Sequence, residues 1–424
     1  MNGISANSIK RNKLLYTLEA TFEYLISILV AGSFLATLTK ELGFSDSLTG
    51  ILSSIISLGC LFQLISLFIR PAQEKRFITV FSILNQLLFM LLYVVPLTRF
   101  DRQIKIAVFV AFIFIAYILY NITHPKKISW LMSFVENSHR GRFTANKEII
   151  SLLSGIVFSF GMGSVIDHFE TSGRIRTAFV ICAATIFALM LLHTLSVIFV
   201  SESYVPSRAK INLKHTLPQL MKNKNLFRIT IVFILYYAAT YISTPFYGTY
   251  QINELGLSLK YVSAITMCGS ISRILVSRFW GKYADKNSFA VMIEKCFIFL
   301  AASYICVIFA VPSSGKVLFG LYYLLHGIAL GGINSALINL IFDYAPSDKR
   351  ADLLAITQAF AGLTGFLTTL LASPLVSLIQ NNDTKLFGFH IYAQQFVSIL
   401  GFFITIAAIV FVRTFIIKKS DSVK

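Results

Sequence analysis

Twelve long apolar runs, separated by short polar loops, constrain this chain of 424 residues more than any other feature. A membrane-spanning helix needs about 20 mainly apolar residues to cross roughly 30 Å of hydrocarbon. The runs do not alternate at every second residue, as the strands of a membrane β-barrel do. They predict an all-α membrane protein with twelve transmembrane helices. The runs are Leu14–Leu38, Leu48–Ile69, Phe77–Val95, Ile106–Ile122, Ile149–Ile166, Ala178–Val200, Ile229–Tyr247, Val262–Phe279, Phe289–Val311, Val317–Phe342, Leu353–Leu378 and Ile391–Ile417.

The composition agrees with a protein that lives in a lipid bilayer. Hydrophobic residues make up 56% of the chain and charged residues only 13%, whereas about a quarter of the residues of soluble proteins are charged. A net charge of +18 could suggest nucleic acid, but that would require one basic stripe on a soluble domain. No nucleic-acid partner is expected.

The basic residues lie mainly on one side of the predicted membrane. Of the 37 Lys and Arg residues, 28 fall on the N-terminal segment, on alternate loops and on the C-terminal segment. By the positive-inside rule this side is cytoplasmic. The distribution predicts a multi-pass protein of the inner or plasma membrane, with both termini and the long middle loop in the cytoplasm.

A polar, basic stretch from Ser201 to Lys224 divides the chain once. Six runs precede it and six follow it. We therefore predict an N-terminal six-helix bundle over 1–200, a cytoplasmic linker over 201–225 and a C-terminal six-helix bundle over 226–424.

The two halves resemble each other at matching positions. The loop that contains Arg140 resembles the loop that contains Arg350, at an offset of 210 residues. The segment Ser66–Lys75 resembles Ser277–Lys286, at an offset of 211 residues. Two segments at nearly the same offset favour a duplicated six-helix unit.

These loops also resemble those of a known family, the major facilitator superfamily. Gly281-Lys282-Tyr283-Ala284-Asp285-Lys286 is similar to the family's cytoplasmic motif Gly-x-x-x-Asp-Arg/Lys, and Trp130–Arg142 is similar to its Trp…Pro-x-x-x-Arg-Gly-Arg stretch. In the first half Arg70 and Glu74 replace the Gly and Asp of the motif. The resemblance implies two pseudo-symmetric six-helix bundles that rock around a central site.

An acidic residue just past a helix end can pair with a basic residue of a neighbouring helix and hold the cytoplasmic side closed. The alternative is that such residues are solvated loop charges. The candidate residues for a cytoplasmic gate are Glu74, Arg76, Arg140, Asp285, Lys286 and Arg350.

Ionisable residues inside the apolar runs are the strongest functional candidates, because charge is costly in hydrocarbon. Glu19 and Glu23 are four residues apart and share one helix face. Glu23 is expected about 13 Å deep and Glu19 nearer the interface. Desolvation favours a neutral carboxyl, so Glu23 is predicted to load and release a proton, with Glu19 and His326 as further proton-coupling groups. His193 is interpreted as a structural histidine.

The resemblance implies that helices one, four, seven and ten line the central cavity. Tyrosine combines an apolar ring with a hydroxyl, which suits contact with a sugar or an amphipathic ring, although plain packing is an equal alternative. The candidate substrate-binding residues are Tyr117, Tyr120, Asn121, Tyr237, Tyr241, Tyr322, His326 and Asn334. Tyr247 and Tyr250 are interpreted as residues of the membrane-interface belt.

The sequence contains no phosphate-binding loop, no zinc motif and no nucleophile elbow, so neither an enzyme nor an ATP-driven pump is expected. No cofactor and no metal site are expected. We predict a monomeric secondary active transporter in the lipid bilayer, moving a small organic solute with a proton as coupling ion. Uptake and export both remain open, and the two Glu favour cationic or neutral cargo. The alternative is a non-transporting sensor or lipid-handling protein with the same fold.

Overall fold

The structure is a computed structural model, and it describes residues 6–66, 69, 73–132, 140–201, 222–345, 350–382, 385–386 and 389–417. Most of the predicted linker (202–221) and parts of the loops that carry the family resemblance (70–72, 133–139 and 346–349) lie outside the described residues.

Thirteen long helices make up almost all of the described chain. In chain order they are α1 Ala6–Leu29, α2 Gly32–Glu41, α3 Asp46–Ser66, α4 Glu74–Val94, α5 Arg102–Met132, α6 Arg140–Thr171, α7 Ile175–Ile198, α8 Lys224–Tyr241, α9 Leu259–Lys286, α10 Phe289–Ile308, α11 Gly315–Tyr344, α12 Arg350–Asn381 and α13 Ala393–Val412. Short helical turns continue α8 to Glu254 and α13 to Ile417. A two-residue hairpin pairs β1 (Lys385–Leu386) with β2 (Phe389–His390) before α13, with Leu386 opposite Phe389.

Eleven of the described helices are long and apolar enough to cross a membrane, and the count is twelve when α1 and α2 are taken as one bent span. The bend is 43°. It occurs where Ala31 is extended and Gly32 has a φ of +53°. Glycine adopts this backbone conformation readily, whereas residues with a side chain rarely do. The run predicted as one helix from Leu14 to Leu38 is therefore interrupted at Gly32.

The chain forms two compact units. Unit 1 comprises Met1–Phe44, Phe62–Ala209 and Ser258–Ser263, and unit 2 comprises Ser45–Leu61, Lys210–Leu257 and Ala264–Lys424. The division predicted at residues 201–225 stays a prediction, since most of that stretch lies outside the described residues.

In unit 1, α4 connects its neighbours through polar side chains that bond to backbone carbonyls. The Tyr93 hydroxyl donates to the carbonyl of Leu29 on α1 (2.6 Å), and the Asn85 amide donates to the carbonyl of Ala116 on α5 (2.8 Å). A polar group buried away from water is costly unless it is hydrogen-bonded. These bonds therefore favour one alignment of α4 against α1 and α5.

In unit 2, α10 supplies the centre of the apolar core. Its buried positions recur every three or four residues, as expected for one packed face of a helix. They include Met292, Ile293, Cys296, Phe297, Leu300 and Tyr304.

Glycines bring α9 and α11 of unit 2 into close contact. A Cβ atom on Gly327 would collide with the carbonyl oxygen of Gly269. At the next residue of α11, the Ile328 carbonyl accepts a hydrogen bond from the Trp280 indole N–H (2.8 Å). Small residues allow this close approach of two helix backbones, which in a membrane gains packing energy that the hydrophobic effect does not supply.

Replacing Gly327 by alanine is expected to destabilise the protein by about 1–3 kcal/mol, because overpacking of this size outweighs the gain of roughly 1 kcal/mol that alanine brings to a helix. The measurement is thermal unfolding of the purified protein in detergent. Gly161→Ala is the matched control, because Gly161 lies on α6 with open space at its Cβ position. Equal unfolding temperatures for the two variants would contradict the close contact.

Candidate functional site

Five ionisable side chains meet inside unit 1, and we name them the charged cluster. Glu19 and Glu23 come from α1, His124 and Lys127 from α5, and His193 from α7. Helix geometry explains the grouping, because residues three or four positions apart on a helix lie on the same face. Glu19 and Glu23 are four apart, and His124 and Lys127 are three apart, so two paired faces oppose each other.

The Lys127 ammonium lies between the two carboxylates. Its Nζ is 2.6 Å from Oε1 of Glu19, and it also donates a hydrogen bond to Oε2 of Glu23. The Lys127 side chain is only 4% exposed. A buried cation of this kind is tolerated because it is paired and hydrogen-bonded.

Two histidines complete the surroundings of the carboxylates. Nε2 of His193 is 3.1 Å from Oε1 of Glu19 and 3.6 Å from Oε2 of Glu23. Nδ1 of His124 is 3.5 Å from Oε1 of Glu23. Because Nε2 of His193 faces two carboxylates, it favours the tautomer that carries a proton on Nε2. Its Nδ1 is buried and has no hydrogen-bond partner among the described residues.

The two carboxylates differ in access. The Glu19 side chain is 1% exposed and the Glu23 side chain is 15% exposed. Glu19 is therefore enclosed by protein, and its predicted depth in the membrane stays a prediction. Glu23 is the more accessible of the two carboxylates.

The cluster carries one more negative charge than positive charge when both histidines are neutral, since it has two carboxylates and one ammonium. The next basic side chain is Lys147 on α6, whose Nζ lies 5.0 Å from the centre of the Tyr16 ring. It forms no ion pair with either Glu of the cluster, but its positive charge acts on both carboxylates. The excess negative charge of the cluster is thus partly offset from α6.

Glu19, Glu23 and His193 are also the residues that could hold a metal ion, since their ligand atoms lie within 4.8 Å of one another. The Lys127 ammonium, however, hydrogen-bonds to both carboxylates. It thus occupies the position between the oxygen ligands that a cation would require. The arrangement is an internal ion pair rather than a metal centre.

A small cleft lies beside Glu23. One wall is formed by Tyr120 and His124, whose rings are stacked at 4.8 Å between centroids. The residues that line the cleft are Glu23, Phe81, Ser82, Asn85, Leu119, Tyr120, Thr123, His124 and Lys127. Three residues of the fourth predicted span, which is α5 in the structure, are candidates for solute contact. One of them, Tyr120, lies at the cleft.

Tyr117 and Asn121, the other two candidates on α5, serve internal contacts of unit 1. The Tyr117 ring packs edge-on against Phe89 at 5.2 Å. The Asn121 amide donates to the Tyr117 carbonyl, and its oxygen accepts from Gln63 (3.2 Å). Neither residue lines the cleft.

The remaining substrate candidates lie in unit 2. Tyr237 and Tyr241 are stacked at 5.7 Å, and Tyr322 is stacked on His326 at 5.1 Å. Nδ1 of His326 is buried without a hydrogen-bond partner among the described residues. The first ring pair lies on α8 and the second on α11, where Tyr322 is buried. The fifth candidate, Asn334, is exposed.

The predicted gate residues are exposed or lie partly outside the described region. Asp285, Lys286 and Arg76 are exposed, and Glu74 is half-buried at the start of α4. None of these four forms an ion pair with another described residue. The side chains of Arg140 and Arg350, which begin α6 and α12, lie outside the described residues.

The interpretation of Tyr247 and Tyr250 as interface residues is wrong. They are 4% and 0% exposed. The Tyr247 hydroxyl is hydrogen-bonded to Ser398 (2.8 Å), and the Tyr250 hydroxyl donates to the Ala310 carbonyl (2.5 Å). Both hydroxyls therefore find partners inside unit 2 instead of at the lipid headgroups.

Sequence reasoning missed three members of the charged cluster. His124 and Lys127 follow the fourth apolar run, which ends at Ile122, and they are not among the site residues predicted from the sequence, whereas α5 continues to Met132. Their spacing is the signal that could have identified them. They lie four and seven positions after Tyr120, and therefore on the same face of the helix. His193 is interpreted from the sequence as a structural histidine, and its partners on α1 are 170 or more positions away, so no local pattern reveals them.

A second polar group, the Asp46 cluster, lies in unit 2 at the start of α3. One carboxylate oxygen of Asp46 accepts from Asn253 (2.8 Å), and the other accepts from Gln380 (2.9 Å) and Gln394 (3.1 Å). Asp46 as a whole is only 7% exposed. Amide donors thus satisfy a buried anion that joins α3 to α12, α13 and the segment after α8.

Comparison with protein families finds a match to the Major Facilitator Superfamily over residues 18–369. Comparison with curated protein sequences finds no match. The family match spans most of the described helices, from α1 into α12.

Similar solved structures include the nucleoside transporter NupG, which is 15% identical, with 96% of this chain and 99% of that chain covered and a TM-score of 0.68. A D-xylose–proton symporter is 13% identical, with coverages of 96% and 98% and a TM-score of 0.67. A bacterial homologue of the iron transporter ferroportin in an inward-facing state is 13% identical, with coverages of 97% and 99% and a TM-score of 0.68. Identities this low show a shared fold. The predicted fold class of twelve transmembrane helices is confirmed.

Lys127→Met is expected to destabilise the protein by about 3–5 kcal/mol, because it leaves two buried carboxylates without their cation. Adding Glu19→Gln to Lys127→Met should restore most of this loss, since only one carboxylate then remains. Thermal unfolding in detergent measures both variants. Lys282→Met, at an exposed position of α9, is the control. A double variant no more stable than the single one would contradict the charge balance.

Asp46→Asn is expected to cost about 1–3 kcal/mol, because an amide N–H₂ replaces an oxygen that accepts hydrogen bonds from amide donors. Hydrogen exchange should rise at the start of α3 and around Asn253. Glu41→Gln, at an exposed position at the end of α2, is the control. Unchanged exchange in Asp46→Asn would show that this carboxylate does not hold the helix ends together.

Proposed function

Because the chain belongs to the major facilitator superfamily, we propose that it is a secondary active transporter of a small organic solute, driven by a proton through alternating access. Family and fold point to transport rather than to enzymatic catalysis. One of the proteins with a similar fold is described as a proton symporter, which supports a proton as the coupling ion.

The observation that carries the proposal is the unbalanced charge of the charged cluster beside a cleft. Two carboxylates share one ammonium in a setting that is almost closed to water. Ionisable groups within a membrane are costly and are kept at sites of ion or proton movement. A proton is the smallest charge that balances the cluster, and the cluster then becomes neutral as a whole.

Glu23 is the group that we assign to proton exchange. It lines the cleft, whereas Glu19 does not. Glu19 keeps two close partners, Lys127 at 2.6 Å and His193 at 3.1 Å. Protonation of Glu23 therefore leaves the ion pair between Glu19 and Lys127 intact and removes the second one. His193 and His124 lie within 3.6 Å of Glu23 and can relay the proton.

The coupling between proton and movement follows from which helices the ion pairs join. Glu23 bonds to Lys127 across α1 and α5. Neutralising Glu23 weakens this contact, while the bond between Glu19 and His193 still joins α1 to α7. Alternating access involves two arrangements of α1 and α5. A proton shifts the population towards the arrangement that binds it more strongly.

The predicted solute contacts remain part of the proposal. Tyr120 faces the cleft beside Glu23, and the stacked pairs Tyr237–Tyr241 and Tyr322–His326 offer aromatic surfaces in unit 2. His326 is assigned to solute contact rather than to proton transfer, since the histidines beside the carboxylates are His124 and His193. Tyr117, Asn121 and Asn334 are kept as secondary candidates.

The cellular arrangement is likewise proposed from charge. We place the protein in the inner or plasma membrane as a monomer, with both termini in the cytoplasm, because most of its basic residues fall on the termini and loops predicted for that side. The gate formed by Glu74, Arg76, Arg140, Asp285, Lys286 and Arg350 is proposed to close the cytoplasmic end in another conformation.

Glu23→Gln is expected to abolish solute-dependent proton movement, because glutamine keeps a hydrogen bond to Lys127 but takes up no proton. The purified protein is reconstituted in liposomes with an internal pH dye, and pentoses, nucleosides and small amines are added in turn. Glu41→Gln is the matched control and should behave as the wild type.

Solute flux without proton movement in the wild type would contradict the assignment of Glu23. Solute binding without any flux would instead favour the sensor alternative. Proton-coupled flux that survives in Glu23→Gln would move the coupling to another group.

A further inference from the structure

We propose that the Asp46 cluster, together with Glu254, binds a divalent cation, and that calcium is the ion that fits it. The inference goes beyond the proposed transport function and does not depend on it. It is carried by oxygen-bearing side chains that four segments of unit 2 bring together, and by a buried amide oxygen that has no partner among the described residues.

Five side chains with oxygen atoms meet at the start of α3. They are Asp46 of α3, Asn253 and Glu254 at the end of the helical extension of α8, Gln380 near the end of α12 and Gln394 near the start of α13. Calcium binds about six to eight oxygen ligands, which include carboxylates and side-chain amides. Two oxygens on each carboxylate and one on each amide are enough for such a site.

Two of these side chains are carboxylates that lie close together. The Gln380 amide nitrogen is 2.9 Å from Oδ2 of Asp46 and 3.3 Å from Oε1 of Glu254, so a single N–H₂ group bridges both. Like charges at this separation repel each other, most strongly where water is excluded. None of the ion pairs among the described residues involves Asp46. A divalent cation would balance both negative charges, which neutral amides cannot do.

A buried oxygen without a partner is the second observation that favours a ligand. Gln394 is 0% exposed, and its Oε1 has no hydrogen-bond partner among the described residues. The nitrogen of the same amide group is 3.1 Å from Asp46, so this oxygen lies beside the carboxylate. Buried polar atoms normally have partners. A half-turn of the amide group would exchange the two atoms and direct the oxygen at a cation bound to Asp46.

The spacing of the polar atoms suits calcium. The three amide nitrogens lie 2.8, 2.9 and 3.1 Å from the Asp46 oxygens, and a half-turn of each amide places an oxygen there instead. Oxygens that surround one calcium ion at about 2.3–2.6 Å are roughly 3 Å from their neighbours. Magnesium requires near-ideal octahedral geometry and keeps several waters. An irregular set of side chains from four segments therefore favours calcium.

Solvent reaches the site from one side, since Asn253 is exposed and Glu254 and Gln380 are half-buried. Helix dipoles have little net effect, because α3 and α13 begin here while α12 and the extension of α8 end here. The predicted topology places the start of α3 outside the cytoplasm. Extracellular calcium sites have a Kd of about 0.1–1 mM, and we expect this range here.

The first test uses terbium, a luminescent substitute for calcium, on the purified full-length protein in detergent after removal of metal with EDTA. Tyr250 and Tyr392 have ring centroids 5.4 Å apart. They precede Asn253 and Gln394 by two or three positions and can transfer excitation energy to the bound ion. Terbium luminescence excited through tyrosine is expected. Calcium should displace terbium at roughly 0.1–1 mM, and magnesium only at about tenfold higher concentration.

Variants locate the site. Glu254→Gln keeps the shape of the side chain and removes one charge, so it should weaken terbium and calcium binding about tenfold or more. Glu41→Gln, at an exposed position at the end of α2, is the matched control and should bind both ions as the wild type does. Asp46→Asn should lose the luminescence that calcium displaces, and its thermal unfolding shows whether it is folded.

Thermal unfolding gives a second measure, because a ligand stabilises the state that it binds. Calcium above its Kd should raise the unfolding temperature of the wild type and of Glu41→Gln, and have little effect on Glu254→Gln. Choline chloride at matched ionic strength should have no effect on any of the three.

The outcomes decide between a cation site and a hydrogen-bond network alone. Terbium luminescence that calcium does not displace, or that is equal in the wild type and in folded Glu254→Gln, overturns the site. Folded wild type with neither luminescence nor a calcium-dependent unfolding temperature also overturns it. Equal displacement by calcium and magnesium overturns the assignment of calcium. None of these measurements uses a solute, so their results are independent of whether the transport proposal holds.

Discussion

The structure of unit 1 depends on one ammonium group held between two carboxylates inside a membrane. Lys127 on α5 pairs with Glu19 and Glu23 on α1. Each of these charges alone would be costly in hydrocarbon, and each is tolerated because the others are close. The ion pairs therefore tie the two helices together, and His193 adds α7 to the same group.

Other polar contacts of the spans satisfy buried groups with neutral hydrogen-bond partners. Tyr93 donates to a carbonyl of α1, and Asp46 accepts from three side-chain amides. Where no polar group is needed, as between Gly269 and Gly327, backbones approach closely and gain packing energy. The charged cluster differs from these contacts in two respects, since it contains two carboxylates for one ammonium and it adjoins a cleft. These differences make it the candidate site.

Much of the fold was predictable because length and apolarity are local properties. The twelve runs correspond to the spans, and the loop motifs indicated the family. Glu19 and Glu23 were found because a carboxylate within an apolar run is conspicuous. Lys127 was overlooked because a lysine at the end of a run looks like a loop charge until the helix is seen to continue. The burial of Tyr247 depends on Ser398, 151 positions away, and no local pattern reveals such a partner.

The order of residues is enough to show that this chain crosses a membrane about twelve times as helices, because each span must satisfy its own backbone hydrogen bonds in lipid. It also places acidic groups on one face of the first helix. The partners of these groups become apparent only in the folded protein, since the packing of α1 against α5 and α7 selects which distant side chains meet them. The net charge of a buried site is a sum over neighbours in space, and the sequence contains those neighbours without stating their distances.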